Sequence, residues 1–86
     1  MYEVGRVPTP TEHSPRVLQW RQEFGASLRR HREERRLSQE ALAERAGVDR
    51  KLIYRTELGQ TSPRLDAVVR IADALDVHPA ALLPRQ

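Results

Sequence analysis

Residues 39–58 read QEALAERAGVDRKLIYRTEL, and their spacing decides the fold. Leu42, Ala43 and Ala46 recur at three- and four-residue intervals, which lays one apolar stripe along a short helix. Gly47 supplies the left-handed backbone that ends such a helix. Asp49 caps a following helix over 50–58, with Ile53 on its inner side. Ala43 is small where the two helices cross closely, and Leu42, Val48 and Ile53 fill the angle between them. The pattern predicts two short helices at a steep angle, the later one free to project an outer face. Ser38 caps the first of them. Ala41, three residues on, stands where a full capping box would hold Glu, so the box is incomplete.

Working outward, Ser14-Pro15 gives another helix start, with Ser as cap and Pro at the first helical position. Val17, Trp20, Phe24 and Leu28 continue it as a helical stripe to about Arg35. Gly25 weakens this helix modestly. Beyond Gly59 the Gln60-Thr61-Ser62-Pro63 loop leads into a fourth helix, which the Ser62-Pro63 pair is placed to open. Leu65, Val68, Val69, Ala72 and Leu75 define its apolar side. A fifth helix over 78–83 follows, with His78 as cap and Pro79 near its first position. No stretch alternates long enough for a strand. The fold class is therefore all-α, with five helices over 14–86 behind an extended N-terminal arm, 1–13, carrying Gly5, Pro8 and Pro10.

Eighty-six residues bound the chain at one domain. Such a domain hides only about 60–65% of its unfolded surface. That leaves no room for a cofactor domain beside a substrate domain. No apolar run approaches the ~20 residues that span a bilayer. The first twenty residues lack the basic start and apolar stretch of a signal peptide, so the expected location is the cytoplasm, away from membranes. Cysteine is absent, which excludes disulfides and thiolate chemistry. His13, His31 and His78 show no metal-ligand spacing, and Ser38 and Ser62 read as caps rather than nucleophiles. No catalytic residue, cofactor or metal is expected. The net charge is +3, from 15 basic and 12 acidic residues, and Lys51 is the only Lys. The whole excess sits in residues 1–36, with eight Arg against five Glu. A basic balance fits a nucleic-acid binder without establishing one. Any such binding face must then arise from geometry, with Arg and Lys projecting one way and acids the other.

The helix pair is a helix-turn-helix, and its setting is more specific than that. The stretch from Leu28 to Leu83 resembles the Cro/phage-repressor (XRE-type) helix-turn-helix family. The matching elements run in order: the L-S-Q start at Leu37, the A-x-x-x-G turn ending at Gly47, I-x-x-x-E-x-G from Ile53 to Gly59, and S-P-x-L-D at Ser62. Three positions depart from the family. Arg36 and Asp76 stand where Gly is usual, and a left-handed turn at Arg36 costs roughly 1 kcal/mol. Thr56 replaces a buried aliphatic or aromatic residue, and its hydroxyl then calls for a bond to the carbonyl one turn back.

The resemblance implies roles. Arg50, Lys51 and Arg55 occupy the positions that read bases in the major groove of double-stranded DNA. Arg50 is favoured as a base reader because Arg donates two hydrogen bonds to guanine. Lys51 and Arg55 are as readily phosphate contacts or a solvated basic face. Leu52 either touches a thymine methyl or the edge of the preceding helix, and Tyr54 either donates to a phosphate or covers the outer face of its helix. Gln39 sits at a helix N-terminus that attracts phosphate, and the family's Gln contacts the backbone there. Gln60, Thr61, Ser62 and Arg64 form a polar loop able to grip phosphates. In the family an Arg at the place of Arg32 pairs with the Glu at the place of Glu57, a structural pair.

The function that follows is a sequence-specific regulator binding a pseudo-palindrome as a homodimer, blocking a promoter or contacting polymerase. Relatives dimerise through the fourth and fifth helices, which nominates Val77, Leu82 and Leu83. Val17 and Trp20 are the competing interface. R-x-x-I-x-x-x-E after an Asp cap is also similar to restriction-modification controller proteins, and an antitoxin that binds a toxin enzyme shares the domain. From another class, the same fold can serve as a protein-bridging module with weak DNA affinity.

Overall fold

In the computed structural model, the described residues, 14–84, form four α-helices and one 3-10 turn, with no strand among them. The helices are α1 (Pro15–Glu34), α2 (Gln39–Ala46), α3 (Arg50–Glu57) and α4 (Leu65–Ala74), and the turn is Pro79–Leu82. The expected arm over 1–13 lies outside the described residues.

Local chemistry sets the boundaries. Ser14 Oγ accepts from the Val17 amide at 3.1 Å, Ser38 Oγ from Ala41 at 3.0 Å, and Asp49 Oδ1 from Lys51 at 2.7 Å. Each bond satisfies one of the N–H groups that a helix start leaves without a partner. Gly47 ends α2 at φ 68°. Arg36 and Asp76 adopt φ 55° and 57°, left-handed turns made without glycine.

The expectation of five helices needs correction. His78 Nδ1 accepts from the Ala80 amide at 3.0 Å, so the cap exists, but the segment it opens is a single four-residue 3-10 turn. So short an apolar piece is held by burial of Leu82 rather than by its own ladder. Ser62-Pro63 does not open α4 either. That helix starts two residues later, with Arg64 at the cap position and no side chain bonding its first amides.

Leu28, Leu42, Ile53, Ile71, Leu75 and Leu82 are wholly buried, joined by Phe24, Ala43, Ala46 and Ala72. α2 packs on α3 and α4, α1 packs on α3, and the 3-10 turn bridges α4 and α1. Of the apolar stripes, Val17 on α1 and Leu65 and Val69 on α4 are exposed, at 43%, 74% and 40%. Thr56 is buried completely, yet its hydroxyl has no partner, contrary to the expected bond one turn back.

α1 meets α3 at Gly25. A Cβ built on Gly25 would meet the Thr56 carbonyl oxygen at 2.2 Å and that of Glu57 at 2.8 Å. Gly25 is therefore where backbone meets backbone, and its apparent weakness in the sequence is what allows α1 to seat on α3.

Candidate nucleic-acid interface

α3 is divided lengthwise. Ile53 and Thr56 are buried, and Glu57 turns into a polar cluster; Arg50, Lys51, Tyr54 and Arg55 are exposed on the other side. The inner side is fixed by a bidentate pair. Arg32 Nε and Nη2 donate to the two Glu57 oxygens at 2.6 and 2.9 Å, and Arg32 Nη1 donates to the Leu37 carbonyl at 2.8 Å. The side chains keep only 12% and 4% of their exposure. The Glu57 hydrogen bond raises the Arg32 guanidinium further above its ordinary pKa, against the opposing effect of burial. A buried charge pair of this kind is secure only when its remaining polar atoms are bonded too. Leu37 meets that need for Arg32, and Gln39 meets it for Glu57.

Gln39 Nε2 donates to Glu57 Oε1 at 3.1 Å. The network thus ties α1, the α1–α2 turn, the first residue of α2 and the end of α3. An amide nitrogen carries two protons, so one remains on Gln39 for a further acceptor. Gln39, Arg50, Lys51 and Tyr54 line one cleft of about 310 Å³. A second cleft, of about 420 Å³, is lined by Leu52, Ser62, Arg64 and Arg70 among others. Half-buried Leu52 therefore packs toward the loop and α4. Gln60 is exposed.

Three residues nominated from sequence lie elsewhere. Thr61 is half-buried in a groove with Arg16, Val17 and Trp20, on the α1 side of the loop. Leu82 has no exposed surface and cannot meet a partner, because the 3-10 turn plants it in the core. Val77 packs half-buried against that core, and only Leu83 of the three nominated for an interface is well exposed, at 50%. Sequence reasoning passed over Arg70, which joins Arg64 in the second cleft, and Glu40, whose Oε1 accepts from Arg50 Nη1 at 2.8 Å. Arg70 sits on the polar side of α4 and was legible as such; the Glu40–Arg50 bond joins two helices and left no local signal.

A sequence model described as a helix-turn-helix domain matches residues 23–85. The chain belongs to the helix-turn-helix family. Among known proteins, it is 52% identical over 48 residues to an uncharacterised HTH-type transcriptional regulator from Methanothermobacter thermautotrophicus, covering 56% of this chain and 70% of that one. The helix-turn-helix fold superposes on the restriction-modification controller protein C.AhdI from Aeromonas hydrophila with a TM-score of 0.72 and 38% identity, over 73% of this chain and 96% of that one. It also superposes on a hypothetical transcription factor, NHTF, from Neisseria, with a TM-score of 0.73 and 28% identity, over 88% and 87% of the two chains. The XRE-type resemblance read from Leu28 to Leu83 and the DNA-binding, transcription-regulator class it implied thus stand. No described helix is long and apolar enough to cross a membrane.

Proposed function

We infer that this helix-turn-helix chain is a cytoplasmic, sequence-specific regulator that binds a pseudo-palindromic operator in double-stranded DNA as a homodimer. The observation that carries the reading is the division of α3: a locked inner side, and an outer side bearing Arg50, Lys51, Tyr54 and Arg55 beside the N-terminus of α2. A helix held this way presents its first turn to a major groove without reorganising. Arg50 reads a guanine, and Lys51 and Arg55 contact a base or the adjacent phosphate. Gln39, Tyr54, Gln60, Ser62 and Arg64 hold the backbone and fix the register, with Arg70 beside them. Leu52, half-buried toward the loop and α4, touches a thymine methyl only with the edge it leaves exposed. Two-fold pairing through Leu83, with what Val77 leaves exposed, doubles the site, with half-sites about 34–36 Å apart.

The match to C.AhdI along nearly its whole length favours a restriction-modification controller as the second reading. Selection from a randomised duplex library, followed by titration at several salt concentrations, tests DNA recognition directly. Arg50→Ala should weaken binding to the selected duplex by about 1–3 kcal/mol and random duplex less. Equal losses on both would make Arg50 a phosphate contact.

A further inference from the structure

Glu40 occupies an unexpected place on the outer face. It sits in the first turn of α2, directly after Gln39, and its carboxylate reaches across to Arg50, the first residue of α3. The nearby Asp49 carboxylate is already used, capping α3 through the Lys51 amide. Glu40 caps nothing; its structural contribution is the modest one of an acid in the first turn of α2. Its pair with Arg50 is open to water, with side-chain exposures of 73% and 60%, and an ion pair so exposed adds little to folding. A negative charge in this position also opposes phosphates approaching the cleft of Gln39, Arg50, Lys51 and Tyr54.

We propose that Glu40 is a specificity-determining residue that acts through Arg50, by holding its guanidinium at the mouth of the cleft and opposing phosphate contacts there. A free arginine side chain reaches any nearby phosphate, and such contacts carry no sequence information. With Nη1 occupied by Glu40, the Arg50 guanidinium keeps its other N–H donors in a restricted set of directions. Those donors are well used only where a base edge offers matching acceptors, as guanine does through O6 and N7. Giving up the Glu40 bond for a phosphate returns less, because the carboxylate is then left facing the same negative backbone. The device lowers affinity for every duplex and lowers it most for the wrong ones.

This inference rests on the reading of α3 as a DNA-recognition helix, and the test separates the two. The full chain and its Glu40→Gln, Arg50→Ala and doubly substituted variants are titrated with the selected duplex, with the same duplex altered base by base, and with random duplex. Melting temperatures are recorded alongside, and Glu40→Gln should lower them only slightly, by the loss of one first-turn charge and an exposed ion pair. Glu40→Gln should tighten binding to random duplex more than to the selected one, reducing the ratio of the two affinities by about three- to fivefold. The lost preference should concentrate at one base pair per half-site, and Glu40→Gln should have no effect on that pair once Arg50 is Ala. An unchanged ratio in a wild type that does discriminate overturns the role of Glu40 and leaves the DNA reading standing. A ratio that falls equally with or without Arg50 overturns the action through Arg50. A wild type that binds selected and random duplex alike overturns the DNA reading, and this inference with it.

Discussion

Replacing Gly25 by Ala sets two effects against each other, and the structure decides between them. On helix propensity alone, Ala in mid-helix is worth about 1 kcal/mol over Gly. The new methyl, however, would lie 2.2 Å from the Thr56 oxygen and 2.8 Å from the Glu57 oxygen, both backbone atoms that cannot rotate away. Restoring ordinary contact moves α1 back from α3 by roughly 1 Å. Arg32 lies two turns further along the same helix, with its bonds to Glu57 at 2.6 and 2.9 Å. A displacement of that size takes them out of hydrogen-bonding range. Overpacking costs about 1–3 kcal/mol, and loosening a buried pair adds to it. The net expectation is a loss of about 2–4 kcal/mol, a large part of the total for a small domain. Urea unfolding followed by circular dichroism measures it as a lower midpoint at unchanged slope. A Gly25→Ala chain as stable as wild type, or more so, would refute the close approach of α1 to α3.

Thr56→Val replaces a buried hydroxyl that has no partner with a methyl of similar size, and should raise stability by about 1 kcal/mol, seen as a higher melting temperature; a lower one would mean the hydroxyl is bonded. Arg32→Ala leaves the Glu57 carboxylate buried and without its cation, and should cost about 3–5 kcal/mol, with DNA affinity recovering at temperatures where the variant is folded. Lost binding at an unchanged melting temperature would place Arg32 on the DNA face. Sedimentation of Leu83→Glu should give a monomer and of Trp20→Glu a dimer; the opposite pattern moves the proposed interface to α1.

The parts legible in the sequence were those where one residue type has one local job. Ser14, Ser38 and Asp49 cap because a short side-chain oxygen reaches the amides just ahead of it, and Gly47 turns because it lacks a Cβ. Leu42 and Ile53 declared themselves by helical spacing. The harder parts depend on residues distant along the chain. Gly25 looked like a flaw because its partner is the backbone at Thr56 and Glu57. Leu82 and Leu83 were alike on paper, and only the 3-10 geometry sends one inward and leaves the other outside. The sequence shows Arg50, Lys51 and Arg55 along α3, with Leu52 and Tyr54 between them, and no acid among them. The acid that engages one of them comes from α2, ten positions earlier.

The lengthwise division of α3 also bears on how such a chain can change its target. Residues that hold the helix in place, Ile53, Thr56 and Glu57, are not those that face outward, Arg50, Lys51, Tyr54 and Arg55. Substitutions at well-exposed positions usually alter stability by no more than about 0.5 kcal/mol in either direction. The outward set can therefore be exchanged one residue at a time while the domain keeps folding. On the proposed reading of α3, a new binding preference is reachable through a series of stable intermediates, and the outward set of a recognition helix can be transplanted onto it.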